Sequence, residues 1–437
     1  MANTLITGAI IVPVDEARPA FFHGDLLVEG GFIKKISEYP EKITPEEGAR
    51  VIDGSRLFLM PGLINTHGHA AMSLFRGFAD DLPLQEWLEK KIWPIEERLS
   101  GDDVYWGSML SIVEMIKGGT TTFADMYFFM DRVAEAAAEC GIRAVLCRGL
   151  IGVGENSAAA LAEGEQLYRD WHGRGAGRIT VTLGPHAPYT CPPKFLKEVM
   201  ASAQKLGAAL QIHLSETAGE VEANRREHGC SPVVLLSKLG LFEHKVTAAH
   251  CVHLDDEDIA ILAQKQVRVA HNPGSNLKLG SGVAPLHKLL EASVTVGLGT
   301  DGAASNNNLD MFEEMRLSAL LAKGISYNPA LLPAGKALEL ATAGGAEALF
   351  LEKLGRLKEG YRADIAGISR DLPHATPLHD AVAHLVYSAA AADVRLVMVD
   401  GELILENGEL LYLDEEKIKA EAARCAARLS GRTEKDS

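Results

Sequence analysis

The chain has 437 residues, and 43 Lys and Arg against 59 Asp and Glu give it a net charge of −16 at pH 7. Apolar residues make up 47% and charged residues 23%, which is an ordinary globular composition. The length fits roughly two to four domains, or one large α/β barrel with an appendage. The acidic charge argues against binding of nucleic acid or of an anionic membrane, and no run of about 20 apolar residues predicts a membrane span.

Short β-type runs at both chain ends predict a small composite β-sandwich domain. Residues 1–56 alternate such runs with turn residues, and residues 356–437 repeat this pattern before a charged terminal helix. Neither end is long enough to bury a sheet face alone, so we expect the two ends to pair. The N-terminal stretch lacks a basic region and a cleavage site, and Pro13, Asp15 and Glu16 interrupt it, so we interpret it as a strand rather than a signal peptide.

Between these ends, residues 57–355 alternate β-rich runs with helical stretches. The runs are GLINTHGH, GTTTFADM, RAVLCRG, ITVTLGPH, AALQIHLSE, KVTAAHCVH, VRVAHNP and VTVGLGTDG. Strands that alternate with helices indicate parallel βαβ units, and eight units close a (β/α)8 barrel of the TIM type. The predicted fold class is therefore α/β. Six widely spaced cysteines without a C-x-x-C pair are typical of reduced thiols in a cytoplasmic enzyme.

Chemically reactive side chains fall at the C-terminal ends of these runs. They are His67, His69, Asp125, His186, His213, Glu216, His250 and Asp301. In closed barrels of parallel strands this end carries the active site, and packing alone gives no reason for so uniform a placement.

His67 and His69 give the strongest local signal, because residues two apart on a strand point to the same face. Two imidazoles aimed at one point suit a metal such as Zn²⁺, although two hydrogen-bonded histidines in a turn are an equal alternative. The alternative to a metal ligand at His213 is a hydrogen-bonded histidine in the core. At Asp301 the alternative is a helix cap or a turn residue. The conjunction of all these residues around one barrel mouth favours a metal site.

The motifs PGLINTHGH, QIHLSET, TAAHCVHL, HNPGSNLKLGSG and GLGTDGAASNNNLD resemble those of the amidohydrolase superfamily, in its single-metal deaminase and chlorohydrolase branch. The resemblance implies that His67, His69, His213 and Asp301 bind one divalent metal ion, Zn²⁺ first, with Fe²⁺ or Mn²⁺ as alternatives. Two-metal members present a lysine at the end of strand four. This chain has His186 there, so a single ion is expected.

The same resemblance implies hydrolytic deamination of an aromatic ring. His250 and Asp301 accept a proton from water at the metal and orient the resulting hydroxide, which attacks C6 of the purine. Glu216 shuttles a proton to the ring nitrogen, a contribution of about 10²–10⁴-fold in rate. The same residues are able to expel chloride, so the motifs leave the leaving group open.

The long aromatic segment 70–100 resembles the branch that deaminates 5′-methylthioadenosine and S-adenosylhomocysteine. This resemblance implies that Glu96 and His186 bind the ribose hydroxyls and that Arg148 faces the 5′ substituent, with Trp87 and Phe75 as apolar contacts. From the sequence alone, a position on a solvent-exposed helix face is an equal alternative for Glu96.

The alternative for Arg148 is an ion pair with Asp125 or Glu155. A further arginine of this branch is absent, since residues 151–168 contain no Arg or Lys. Bidentate recognition of a carboxylate by arginine is hard to replace. We therefore expect S-adenosylhomocysteine to be a poorer substrate than methylthioadenosine or adenosine.

Two other functions remain open. The first is the same chemistry on another N-heterocycle, such as guanine or a triazine, which needs no contacts to ribose. The second is an inactive scaffold, which predicts eroded metal ligands, whereas all of them are present. A small purine nucleoside is the expected partner, and the family resemblance implies a homo-oligomer.

Overall fold

A computed structural model describes residues 3–45 and 47–431. Their strands are β1 (Thr4–Ile11), β2 (Phe22–Glu29), β3 (Phe32–Glu38), β4 (Arg50–Asp53), β5 (Leu57–Pro61), β6 (Leu63–Asn65), β7 (Thr120–Tyr127), β8 (Arg143–Leu150), β9 (Ile179–Val181), β10 (Gly184–Pro185), β11 (Leu210–Leu214), β12 (Val246–His250), β13 (Arg268–His271), β14 (Val296–Leu298), β15 (Ile365–Ser369), β16 (Val394–Val399), β17 (Glu402–Glu406) and β18 (Glu409–Leu410).

The helices are α1 (Leu84–Trp87), α2 (Trp93–Glu96), α3 (Gly101–Lys117), α4 (Met130–Cys140), α5 (Ser157–Trp171), α6 (Arg174–Gly177, a single turn), α7 (Pro193–Leu206), α8 (Ala218–His228), α9 (Pro232–Leu239), α10 (Asp256–Gln264), α11 (Pro273–Lys278), α12 (Leu286–Glu291), α13 (Ala303–Asn306), α14 (Met311–Ser326), α15 (Ala334–Leu340), α16 (Ala343–Ala348), α17 (Ala381–Tyr387) and α18 (Glu415–Ser430). Short 3₁₀ turns and one π-helical turn at Leu88–Ile92 complete the helical segments in the part of the chain that is described.

The eight β-rich runs of the central region form strands in the predicted order, with β9 and β10 together making the fourth. Parallel pairing joins β6 through β10 into one half of the barrel and β11 through β14 into the other. A bridge between Leu183 and Leu210 links the halves on one side. On the other side the Thr66 N–H donates to the Leu298 carbonyl at 2.9 Å. The predicted barrel is confirmed.

Burial explains why these segments take their conformations. All eight residues of β7 are buried, as expected for a parallel strand covered on both faces. Helix α7 buries Phe195, Leu196, Val199 and Met200, which recur at the three- and four-residue spacing of one helix face. It ends at Gly207, whose φ of 69° is the left-handed conformation that a helix C-terminus favours.

Strands from both chain ends form one continuous sheet of nine strands, as the composite β domain requires. In this sheet β5 pairs with β1 from the N-terminal end and with β15 from the C-terminal end. The chain passes from the sheet to the barrel between Pro61 and Leu63. The limits 1–56, 57–355 and 356–437 remain predictions for the three parts.

A buried ion network joins the barrel to the composite sheet. Arg143 of β8 donates to Asp364 at 3.0 Å and to Asp400 at 2.7 Å, and Arg178 approaches Asp400 from the other side at 3.3 Å. The six cysteines are free thiols, and five of them are buried. Among the described residues, no helix is both long and apolar enough to cross a bilayer.

Candidate active site

Four histidines and one aspartate converge at the C-terminal mouth of the barrel. His67 and His69 follow β6, His213 lies on β11, His250 ends β12 and Asp301 follows β14. The His67 ring centroid lies 5.0 Å from that of His69, 4.8 Å from that of His213 and 5.4 Å from that of His250. The strand-end pattern in the sequence therefore corresponds to one cluster in space.

Backbone carbonyls orient two of these rings. The Nδ1 of His69 donates to the Met126 carbonyl at 2.6 Å, and the Nδ1 of His213 donates to the His186 carbonyl at 2.7 Å. A carbonyl only accepts, so each Nδ1 carries a proton and each Nε2 points into the cluster as the nitrogen that can bind a cation. Histidines that bind a metal are commonly fixed in this way through their second nitrogen.

The cluster fits a divalent metal ion. The Nε2 of His67 is buried and has no hydrogen-bond partner among the described residues. Potential ligand atoms of His67, His69 and His213 lie within 4.8 Å of one another, and the same holds for His67, His250 and Asp301. Imidazoles and a carboxylate that share one centre are the ligands a borderline cation such as Zn²⁺ prefers.

The pKa shifts reflect strong coupling inside this cluster. Burial and neighbouring histidines hold the pKa values of His67 and His213 well below the usual range, so both are neutral and able to coordinate. Burial also lowers the pKa of His69, but the Asp301 carboxylate 3.1 Å from its Nε2 outweighs burial and raises this pKa to about 9. A cation is thus favoured between His69 and Asp301, where a metal ion would replace the proton.

Two hydroxyl groups brace the Asp301 carboxylate. Its Oδ2 accepts hydrogen bonds from Ser275 at 2.6 Å and from Ser305 at 2.8 Å, which leaves Oδ1 for the histidines. The backbone φ of Asp301 is 63°, a left-handed conformation that aspartate tolerates better than most residues. At Gly299, directly after β14, a Cβ would lie 2.8 Å from the backbone nitrogen of His67, so only glycine allows the two backbones to approach this closely. Both serines stand in motifs quoted above, yet the sequence did not identify their role.

Glu216 lies beyond the end of β11, as predicted, and is buried beside His250. The Glu216 Oε2 lies 3.8 Å from the His250 Nε2, and the Ser281 hydroxyl donates to Oε1 at 3.3 Å. Burial raises the pKa of Glu216, which favours the protonated acid at this position. The His250 Nδ1 in turn contacts the Asn276 Oδ1 at 2.8 Å, and this contact fixes the imidazole ring.

A second carboxylate holds the backbone that carries Glu216. Glu220, in the first turn of α8, accepts the backbone N–H groups of Ser215 at 3.0 Å and of Glu216 at 2.8 Å. Ser215 has a φ of 52°, so the chain turns sharply here and redirects the Glu216 side chain. The spacing of three residues after His213 requires such a turn, because strict alternation would point Glu216 away from the cluster.

We call the cavity over this cluster the inner pocket, and Glu96, His186 and Trp87 contribute to its walls. The Glu96 Oε1 accepts a hydrogen bond from the Tyr127 hydroxyl at 2.6 Å, and burial raises the pKa of this carboxylate. Glu96 therefore faces the pocket rather than bulk solvent. Phe75 lies in the hydrophobic core and does not line the pocket, contrary to expectation.

His186 lies directly beside the ring of His213, with the two centroids 4.8 Å apart. Its Nδ1 is 2.9 Å from the Thr190 hydroxyl, which leaves its other ring nitrogen for a ligand in the pocket. Burial and the neighbouring His69 and His250 lower the pKa of His186 to about 4, so the ring is neutral near pH 7.

Arg148 lies outside the inner pocket, and neither ion pair considered for it is present. Its Nε donates to Glu163 of α5 at 2.9 Å, and its guanidinium lies 4.8 Å from the centroid of the Phe128 ring. Asp125 instead accepts the Ala70 backbone N–H at 2.9 Å. The structure thus brings every predicted metal and catalytic residue together with Glu96 and His186, and places Arg148 in an adjoining cleft.

Comparisons with known proteins show which family this chain resembles over nearly its whole length. A sequence profile of the Amidohydrolase family matches residues 58–404. A protein of Desulforudis audaxviator named 5-methylthioadenosine/S-adenosylhomocysteine deaminase is 54% identical over 97% of this chain and 98% of its own length. A protein of the same name from Pelotomaculum thermopropionicum is 51% identical over 99% of this chain and 100% of its own.

Two solved structures share the fold over nearly the whole chain. A zinc-bound adenosine deaminase from Xanthomonas campestris matches with a TM-score of 0.93 and 34% identity, covering 98% of this chain and 99% of that one. A zinc complex of atrazine chlorohydrolase from Arthrobacter aurescens matches with a TM-score of 0.90 and 26% identity, covering 97% of this chain and 100% of that one. The chain belongs to the amidohydrolase family.

Proposed function

We propose that this protein is a metal-dependent deaminase of 5′-methylthioadenosine, S-adenosylhomocysteine, adenosine or several of these, releasing ammonia and the inosine analogue. The observation that carries the proposal is the position of Glu216 and Glu96, which share one pocket with the histidine and aspartate cluster. The names of relatives that are 54% and 51% identical over nearly the full chain support it.

His67, His69, His213 and Asp301 are the residues that would hold the metal ion. We propose zinc, because three imidazoles and one carboxylate suit it and two structural neighbours contain it. Fe²⁺ and Mn²⁺ suit the same ligands. When bound, such an ion makes water acidic enough to supply the nucleophile near pH 7.

The remaining residues of the pocket have distinct roles in this proposal. Glu216, whose pKa burial raises, donates a proton to the ring nitrogen next to C6, so that C6 becomes electrophilic. His250 and Asp301 accept hydrogen bonds from the attacking water and orient it toward that carbon. The ring nitrogen keeps the proton from Glu216. One proton of the attacking water moves through Asp301 to the exocyclic nitrogen, the other returns to Glu216, and the C6–N bond breaks as ammonia leaves.

Glu96 and His186 are the proposed contacts to the ribose. A carboxylate only accepts hydrogen bonds, whereas a neutral imidazole either donates or accepts, and together they suit two neighbouring hydroxyls. Chlorohydrolase chemistry on a triazine remains the second candidate, because the Arthrobacter enzyme shares 26% of its sequence with this chain. That chemistry does not need either residue.

Ammonia release from the metal-loaded protein, followed with the ultraviolet shift of the purine, tests the proposal. Methylthioadenosine, S-adenosylhomocysteine, adenosine and adenine are compared side by side. Turnover of the nucleosides without turnover of adenine supports a deaminase that reads the ribose. Turnover of adenine alone, or of none of the four, contradicts it and favours another ring or another leaving group.

We also propose a cytoplasmic location and a homo-oligomeric state. The free cysteines are consistent with a reducing compartment. Light scattering at several protein concentrations measures the oligomeric state directly.

A further inference from the structure

A second cavity continues from the inner pocket toward solvent, and we call it the outer cleft. Its volume is about 930 Å³, and it shares Trp93, Glu96, Phe128 and Ile151 with the inner pocket. Glu96, the proposed ribose contact, lines both cavities, so the outer cleft is the space next to the ribose that is open to a group on its 5′ carbon. The charges in this cleft therefore act on the 5′ substituent.

Among the described residues Arg148 is the one arginine that lines the outer cleft, and its guanidinium already has partners. Its Nε donates to Glu163 at 2.9 Å, its Nη1 donates to the Gly149 carbonyl, and its face lies against Phe128. A carboxylate that entered from the substrate would have to displace Glu163, since both compete for the same guanidinium edge. Glu163 thus cancels the charge on which recognition of a carboxylate depends.

The other charged residues that line the outer cleft, apart from Glu96, are carboxylates. They are Glu97, Asp131 and Asp170. None of these three forms an ion pair with any side chain in residues 3–45 or 47–431. No lysine or histidine lines the cleft within those residues. Once Arg148 and Glu163 neutralise each other, the cleft has an excess of negative charge.

We propose that the outer cleft selects adenosines whose 5′ substituent ends in a positively charged amine, and that Glu163 is a specificity-determining residue. This inference rests on the proposed function and deepens it. The apolar stem of such a substituent packs on Phe128 and Trp171, while its ammonium group faces Asp131 and Asp170. A substituent that ends in a carboxylate meets repulsion from the same groups and finds no free cation.

Three 5′-thioadenosines of similar length test the proposal in the metal-loaded enzyme. They carry 3-aminopropyl, propyl and 2-carboxyethyl groups on sulfur, and kcat/KM for ammonia release is measured for each at low and at high salt. We expect the cation to exceed the anion by about tenfold at low salt, with the neutral compound between them. Salt reduces this ratio, because these carboxylates are exposed to solvent.

Substitution of Glu163 separates the effect of its ion pair with Arg148 from the effect of removing one negative charge anywhere on α5. Glu163→Gln frees Arg148, so kcat/KM for the carboxyethyl compound is expected to rise several-fold while that for the propyl compound stays the same. Glu165→Gln is the matched control, because it removes the same charge from the same helix and does not line the outer cleft. A similar rise in both variants overturns the role of Glu163.

The outcomes distinguish this inference from the proposed function. Turnover of all three compounds, with the anion equal to or better than the cation, overturns the charge selection and leaves the deaminase intact. No turnover of any of them, the neutral propyl compound included, overturns the proposed function itself. The double variant Asp131→Asn, Asp170→Asn removes the two proposed partners of the ammonium group. Loss of the kcat/KM advantage of the aminopropyl compound in this variant supports the inference, and an unchanged advantage overturns it.

Discussion

The inner pocket and the outer cleft adjoin each other but differ in how firmly neighbouring residues hold their polar side chains. In the inner pocket the reactive groups are held by further residues, as Ser275 and Ser305 hold Asp301 and Asn276 holds His250. In the outer cleft the carboxylates of Glu97, Asp131 and Asp170 are exposed and form no ion pair with the described side chains. The rigid cluster suits a fixed reaction, whereas the open cleft allows a change of substrate without disturbing the cluster.

Removing the negative charge at the centre of the inner pocket has the largest expected effect. Asp301→Asn keeps the size of the side chain but weakens the only carboxylate among the proposed ligands, so we expect loss of bound metal and of detectable turnover. Metal content after dialysis and ammonia release measure both. Asp256→Asn, at the surface in an ion pair with Lys288, is the control. A full metal content in Asp301→Asn contradicts the ligand assignment.

Glu216→Gln separates chemistry from metal binding in the same pocket. The amide keeps the shape of the side chain but does not shuttle a proton, so we expect kcat to fall by about 10²–10⁴-fold with metal content unchanged. Glu222→Gln, an exposed position on α8, serves as the control. A decrease in kcat of less than tenfold would rule out Glu216 as the proton donor.

Glu96 lies on the boundary between the two regions, and its substitution tests whether the ribose is read there. Glu96→Ala removes a charged acceptor, so we expect kcat/KM for adenosine to fall about 10- to 100-fold. The decisive comparison is with 2′,3′-dideoxyadenosine, whose turnover this substitution should leave nearly unchanged. An equal loss for both substrates would show that Glu96 supports the pocket wall and does not bind hydroxyls.

Much of the inner pocket is predictable from the sequence, because a β-strand fixes the direction of its side chains. His67 and His69 must share a face, and strands that alternate with helices must run parallel and end at one mouth. The resemblance to a known family adds the roles of His213 and Glu216, and the structure brings those residues to the same centre. Local rules and topology were sufficient to place these side chains at one barrel mouth, and the resemblance was needed to assign their roles.

The outer cleft was predicted less well, because its contacts depend on how separate helices pack. From the sequence, Asp125 and Glu155 were the expected partners of Arg148, but its partner is Glu163, which follows Arg148 by 15 residues on α5. The bracing serines were also missed, since a serine in a loop has many possible partners and no periodic pattern. Hydrogen bonds between separate loops become visible only once the barrel is closed.

Ser275→Ala and Ser305→Ala give the smallest effect and test whether bracing makes the inner pocket rigid. Each hydroxyl donates to Oδ2 of Asp301, and loss of one leaves the other to orient the carboxylate. Groups that orient a metal ligand in this way typically change metal affinity by about 10- to 100-fold, and we expect about tenfold for each serine.

Because both serines act on one oxygen, the double variant should lose more metal affinity than the product of the two single losses. Competition with a chelator measures the affinity, and Ser326→Ala is the control, because its hydroxyl bonds only at the C-terminal end of α14, to the Ala322 and Lys323 carbonyls and the Asn328 N–H. Losses that simply multiply would mean that each serine stabilises its own loop. A greater loss in the double variant means that the two serines hold one carboxylate together, so that either hydroxyl partly compensates for loss of the other.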